Sequence, residues 1–230
     1  TPAELTITKK PIRVKAVDKE HIYGEALQAL TYEVSPSLNE NASLDVFIYR
    51  GSSSIAPDRY LIHIEGNNPN YDVSWEKGIY TIKKKPLTIT ANPITQIYDA
   101  AEKPLTYSLS ENLVGDDVLT GSLSREAGQL PGTYKISSTL THPNYDITFN
   151  QANYVIAKKS ISLTADAKTK VYGEQDPVLT YTLSTALITG VSLQGGLTRE
   201  AGNAPGSYEI RSNVSHPLYD ITYIPADLTI

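Results

Sequence analysis

Leu179-Thr-Tyr-Thr-Leu-Ser184 alternates large apolar side chains with small hydroxyl ones, and Leu105-Thr-Tyr-Ser-Leu-Ser110 carries the same alternation about 74 residues earlier. Alternation with period two puts the apolar set on one face of an extended chain, which is the signature of a strand with one side on a core. Its recurrence makes the chain a tandem array of β-rich units. Working outward, Arg125-Glu-Ala-Gly128 returns as Arg199-Glu-Ala-Gly202, and His142-Pro-Asn-Tyr-Asp-Ile-Thr148 as His216-Pro-Leu-Tyr-Asp-Ile-Thr222. Residues 98–156 are thus restated at 172–230, and a worn copy runs from 23 to 82. The boundaries read from this register are 10–84, 85–158 and 159–230. Residues 1–9 form an extension in which Ala3-Glu-Leu-Thr-Ile7 copies Ala226-Asp-Leu-Thr-Ile230, as the closing strand of a preceding repeat would. The chain reads as a slice of a longer array.

Composition narrows the function classes. The 230 residues carry a net charge of −5, no Cys and no Met, and 16 Tyr against 2 Phe and 1 Trp. Without cysteine there is no disulfide framework, which fits a large extracytoplasmic bacterial protein that avoids thiols and equally a reduced cytosolic chain that is Cys-free by chance. A Tyr- and Thr-rich vocabulary belongs to sheets. Lys9-Lys10, Lys83-Lys84-Lys85 and Lys158-Lys159 mark every repeat junction, and they are too few, with no interleaved aromatics, for a nucleic-acid footprint. No apolar run approaches the roughly 20 residues of a membrane span. Alternation also continues through Tyr154-Val-Ile-Ala-Lys-Lys-Ser-Ile-Ser-Leu-Thr164, so one repeat passes into the next without a Gly/Ser spacer and the joint is stiff.

Within a repeat, Gly and Pro punctuate short strands. One or two helical turns are expected around 113–119 and 187–193. Tyr107, Tyr181, Leu109, Leu183, Ile136, Ile210, Ile147 and Ile221 are the expected core. Tyrosines at 32/107/181, 60/134/208 and 71/145/219 read as half-buried with wet hydroxyls, against a rival reading as a glycan-stacking row. Arg125 beside Glu126, and Arg199 beside Glu200, read as loop ion pairs. His142 and His216, with Asn68 in the same slot, read as polar turn residues.

The chemistry-bearing patterns fall away in turn. There is no nucleophile elbow, metalloprotease helix motif or phosphate loop. Gly115-Asp116-Asp117 has the look of a calcium loop, but Thr189-Gly190-Val191 and Glu40-Asn41-Ala42 occupy its slot elsewhere. No Lys–Asn crosslink constellation repeats, since Asn153 becomes Asp227 and Gly78. Catalytic residues, metal ligands and cofactors are therefore expected to be none. The first repeat replaces the Arg-Glu-Ala-Gly loop with Phe47-Ile-Tyr-Arg-Gly-Ser-Ser-Ser54 and holds the sole tryptophan, which makes Tyr49 and Trp75 the candidate ligand contacts.

The string Tyr172-Gly-Glu-Gln-Asp-Pro-Val-Leu-Thr-Tyr181, followed by Gly195-Gly-Leu-Thr-Arg199, Gly202, Gly206-Ser-Tyr208 and Tyr219-Asp-Ile221, resembles the MBG repeat of the YGX type, a module of large bacterial secreted and cell-surface proteins. The second repeat matches with Tyr98-Asp-Ala100 in place of the Tyr-Gly turn; the first keeps Tyr23-Gly24-Glu25. The resemblance implies a mainly β, β-grasp-like module with minimal helix, in an elongated array, and no catalytic residue to carry over. The strand spacing alone equally allows an immunoglobulin-like sandwich. The function expected is a semi-rigid stalk or adhesin spacer at the bacterial cell surface, monomeric, not an enzyme, with no nucleic-acid partner and no membrane insertion in this segment. Its rivals are an adhesive module binding a glycan or an extracellular protein, and an accessory region of a secreted enzyme.

Overall fold

The computed structural model describes residues 3–230. The first repeat contains β1 (Lys10–Ala16), β2 (Lys19–Ile22), β3 (Tyr32–Ser35), β4 (Asp45–Arg50), β5 (Asp58–Asn67), β6 (Tyr71–Glu76) and β7 (Gly78–Lys83). They form two sheets, in the orders β3-β1-β6 and β2-β7-β5-β4. The opening segment serves both. β1 pairs antiparallel with β3 and parallel with β6, and after a short break β2 pairs parallel with β7. Alternation turns Ile12, Val14 and Ala16 of β1, Ile62 and Ile64 of β5, and Tyr80 and Ile82 of β7 into one buried core.

The other two repeats reproduce all seven strands in the same orders. Lys85–Ala91 and Lys159–Ala165 stand where β1 stands, and Asn153–Ala157 and Ala226–Thr229 where β7 stands. The first repeat differs in its β4–β5 hairpin, where Asp45↔Asn67 to Arg50↔Ile62 pair without a break. In the later repeats Gly121 and Gly195, at φ 102° and 87°, interrupt that ladder. A Cβ at Gly121 would lie 2.3 Å from the carbonyl oxygen of Thr139, so a side-chain-bearing residue does not fit the close approach.

Mainly β is what the alternation predicts, and the structure shows it. No helix occurs among the described residues, and none is long and apolar enough to cross a membrane. Where helical turns were expected, the chain makes a single i→i+3 turn: Asp117 N–H donates to the Val114 carbonyl at 3.1 Å and Val191 N–H to that of Ile188 at 3.0 Å. Gly115 at φ 55° and Gly190 at φ 84° stop propagation, and one turn cannot recover the cost of helix nucleation. The minimal helix expected is thereby reduced to a turn. The parallel pairings of β1 and β2 likewise set each sheet apart from the antiparallel sheets of an immunoglobulin sandwich.

The chain falls into two compact units that cut across the repeats. One comprises described residues up to 89, with 109–122 and 139–150; the other comprises 90–108, 123–138 and 151–230. Each holds one whole repeat and one sheet's worth of the middle one, so each unit contains one inter-repeat joint. Of the expected extension, residues 1 and 2 lie outside the described residues. Residues 3–9 form no strand, and Leu5 and Ile7 are exposed, because the strands that hold the equivalent Ala226–Thr229 on both edges have no counterpart beside them.

The core expectations divide. Ile136 and Ile210 are fully buried, and Leu109, Leu183, Ile147 and Ile221 are half-buried. Tyr107 and Tyr181 are 40% and 37% exposed, contrary to expectation, since their three-residue strands sit at sheet edges with no further strand to cover them. The tyrosines that are buried are those at 71/145/219, and their hydroxyls are not wet. Each accepts a backbone N–H from the turn above it: Asn39 at 3.0 Å, Val114 at 2.7 Å and Ile188 at 2.8 Å.

Candidate functional site

Two constructions recur in the repeats, and both explain residues that the sequence repeats. The first is a joint. β7 ends at Lys83 and the next repeat's first strand begins at Lys85; Ala157 and Lys159 stand likewise. One residue separates consecutive strands, and Lys83 pairs with Glu20 at 2.6 Å while Lys85 pairs with Glu111 at 2.6 Å. Beside the covalent link, the chain after β2 makes a turn in which Glu25 N–H donates to Ile22 at 3.0 Å. Its third position needs positive φ, which Gly24 supplies at 86° and Asp99 at 68° in the second repeat. The turn projects Tyr23 into the next repeat. Tyr23 is only 7% exposed and meets Tyr145 edge-on, with ring centroids 5.9 Å apart. Gly24 lies so close to Val114 that a Cβ would come within 2.6 Å of its methyl.

The receptor is itself polar and ordered. Tyr145 Oη donates to Asp117 Oδ2 at 2.9 Å, and His142 sits edge-on to the Tyr145 ring at 5.1 Å. Burial first, and then the Asp117 carboxylate, raise the Tyr23 phenol above its ordinary pKa; burial also raises that of Tyr145. His142 and His216 hold the turn through Nδ1, accepting from Asn144 and Leu218 N–H at 3.2 Å each, and Asn68 Oδ1 accepts from Asn70 N–H at 2.8 Å. The second joint repeats the first: Tyr98 packs against Ile161, Leu218 and Tyr219 with Leu187, Ile188 and Val191 around it.

The second construction is an arginine clasp. The Arg125 guanidinium lies over Tyr134 and Tyr154, 5.2 and 4.8 Å from their centroids. Its Nη1 donates to the Glu126 and Gly128 carbonyls at 2.9 and 2.8 Å, and its Nε to Glu102 at 2.7 Å. Arg199 does the same over Tyr208, with Asp176 as its carboxylate. The expected Arg125–Glu126 and Arg199–Glu200 pairs are therefore replaced. Glu126 instead accepts from Lys135 N–H at 3.0 Å, and Glu200 pairs with Arg211, because adjacent residues on a strand point to opposite faces. Tyr134 and Tyr208 donate to the carbonyls four residues earlier, at 2.7 and 2.9 Å. At Gly128 and Gly202 a Cβ would stand 2.1 Å from those rings, which is why the loop carries Ala-Gly. Arg199 and Lys170 hold Asp176 down at about 2.

The first repeat keeps the clasp in altered form. Arg50 pairs with Ile62 as Arg125 pairs with Ile136, and its guanidinium lies over Tyr60 and Tyr80. One extra residue in the loop hides this equivalence in the sequence. Leu27 stands where Glu102 and Asp176 stand, and Arg50 Nη1 is buried without a hydrogen-bond partner. The candidate contacts Tyr49 and Trp75 are on different sheets. Tyr49 faces outward from β4, stacked on His63 at 5.0 Å and 9°, with exposed Phe47 beside it. Trp75 packs half-buried against the core from β6.

The sequence profile of the MBG domain (YGX type) matches residues 87–155 and 161–229. No curated protein matches the chain. Among solved structures, Drosophila N-cadherin EC1-4 aligns at 9% identity over 94% of this chain and 73% of that one, with a TM-score of 0.22. The tyrosine turns, their sockets and the clasp residues of the second and third repeats fall inside the matched segments, whereas Lys85, Ala157 and Lys159 at the joints lie just outside them.

Proposed function

This chain belongs to the MBG domain (YGX type) family, whose members are generally found in extracellular or cell-surface proteins, and from that membership and its joints we propose a non-catalytic, semi-rigid stalk or adhesin spacer of a bacterial surface protein. The observation that carries the reading is the joint: one residue between strands, flanked by a tyrosine turn docked on the following repeat. Such a joint favours reach over reorientation. In the second and third repeats the clasp guanidiniums of Arg125 and Arg199 and the buried hydroxyls of Tyr145 and Tyr219 are spent on backbone carbonyls, N–H groups and carboxylates, which supports scaffolding rather than acid–base work. Antibody raised against this segment should label intact cells of the source bacterium and lose its target after brief external proteolysis. Labelling only after permeabilisation would overturn the surface assignment.

One observation favours adhesion as a second reading. Tyr32, Tyr107 and Tyr181 occupy equivalent edge-strand positions and are exposed alike. A ring accessible at the same position of each repeat is suited to stacking on a sugar face. A glycan array probed with the chain and with its Tyr32/Tyr107/Tyr181→Ser triple variant tests it: signal that survives the triple variant would leave these rings without a role.

A further inference from the structure

The tyrosine turn exists three times and is docked twice. Tyr23 is 7% exposed against Val114 and Tyr145, and Tyr98 is half-buried against Ile161, Leu218 and Tyr219. Tyr172 is 68% exposed, with Val171 beside it equally exposed. The turn itself is fully formed there. Glu174 N–H donates to the Val171 carbonyl at 3.1 Å, Glu174 Oε2 accepts from Val171 N–H at 3.1 Å, and Gly173 holds φ 91°. At Gly24 a Cβ would strike Val114, whereas at Gly173 nothing lies within 4 Å. A phenol held out by a preformed turn, with bare glycine behind it, is a knob lacking its socket.

The geometry points to the Tyr172-Gly173-Glu174 turn as a docking site for a further repeat of this same kind, one that presents a buried tyrosine at the Tyr219 position under an apolar turn like Ile188–Val191. Continuity with the two joints already formed identifies the occupant. In both, the socket is the first sheet of a repeat, with the turn's backbone N–H bonded to the buried tyrosine hydroxyl: Val114 to Tyr145 and Ile188 to Tyr219. The first repeat shows what an unfilled socket looks like. Around Tyr71, Asn39 and Ala42, which hold the positions of Tyr145, Val114 and Asp117, lies an open cavity of about 590 Å³, closed on one side by Ile7 and Lys10. This inference deepens the spacer reading by naming the partner of each repeat.

The test appends a second copy of residues 159–230 after Ile230 through an Ala-Lys link that reproduces Ala157-Lys158. Hydroxyl-radical footprinting then reads Tyr172. The expected result is at least about a five-fold slower modification of Tyr172 in the extended chain than in the present one, approaching the rate of Tyr23 in the same sample. A second extended chain carrying Ile188→Asp in the appended copy only should return Tyr172 to the fast rate while Tyr23 and Tyr98 stay protected. Equal Tyr172 rates in the present and extended chains, or protection that survives Ile188→Asp, would overturn the inference. Either failure leaves the spacer reading untouched, because that reading rests on the joints already formed at Tyr23 and Tyr98, whose protection the same footprint reads separately.

Discussion

Replacing Tyr23 with Ala removes the ring that locks the first joint. A buried tyrosine takes roughly 150–250 Å² out of water, which at ~25 cal/mol/Å² is about 4–6 kcal/mol of gross stabilisation. Alanine keeps the Cβ share of that area, and a joint between repeats can partly close on the space left. The net loss expected is therefore about 3 kcal/mol, at the lower end for aromatic-to-alanine changes in cores. The assay is built into the chain: Trp75 is the sole tryptophan and packs in the same core cluster as Tyr23. Urea unfolding followed by its fluorescence should show the midpoint falling by roughly 1–3 M. Tyr23→Phe, which keeps the ring and loses only the hydroxyl near Asp117, should cost about 1 kcal/mol. A loss below about 0.5 kcal/mol in Tyr23→Ala would mean that the ring only covers the next repeat without holding it, and the joint argument would fall.

Gly202→Ala should destabilise the third repeat by about 1–3 kcal/mol, because the new Cβ falls on the Tyr208 ring and displaces the hydroxyl from the Ala204 carbonyl; faster amide exchange in Ser207–Ser212 than in Gly132–Ser138 reads the effect. In acid, Asp176 is a depressed carboxylate, so its contribution is full above its unfolded value of 3.8 and disappears as the pH falls toward 2; carboxyl-carbon NMR should place its titration near 2, and Arg199→Lys should move it upward. In alkali the sign reverses. Tyr23 and Tyr145 have raised folded values, so the stability they contribute is full below pH 10 and is lost as the pH rises through those values; Trp75-detected stability that stays flat above pH 10 would contradict the buried joint.

The repeat register, the strands and the turn chemistry are readable from residues because each is a local signal with a fixed period. Leu179-Thr-Tyr-Thr-Leu-Ser184 identifies its two faces correctly, yet nothing in it says that its strand is a short edge strand, so Tyr181 has the right orientation and the wrong depth. The apolar spacing of Leu113 to Leu119 mimics a helix, and only the positive φ at Gly115 reveals a turn. Tyr23, Tyr98 and Tyr172 sit in closely similar sequence, but their burial depends on residues of the following repeat, which lie far along the chain. The clasp was half legible: Arg125 and Gly128 stand out as a motif, whereas the glycine's reason is the Tyr134 ring six residues away, and Arg50 is concealed by one inserted residue.

The central claim is that docked, linker-free joints hold consecutive repeats together, and amide hydrogen exchange at the joints tests it most directly. Tyr23 N–H donates to the Lys83 carbonyl at 2.9 Å and Tyr98 N–H to that of Ala157 at 2.8 Å, so each tyrosine turn is bonded to the strand end that passes into the next repeat. The account predicts that both amides exchange as slowly as those inside Gly78–Lys83 and Asn153–Ala157. Exchange at both as fast as in an unstructured linker would contradict it.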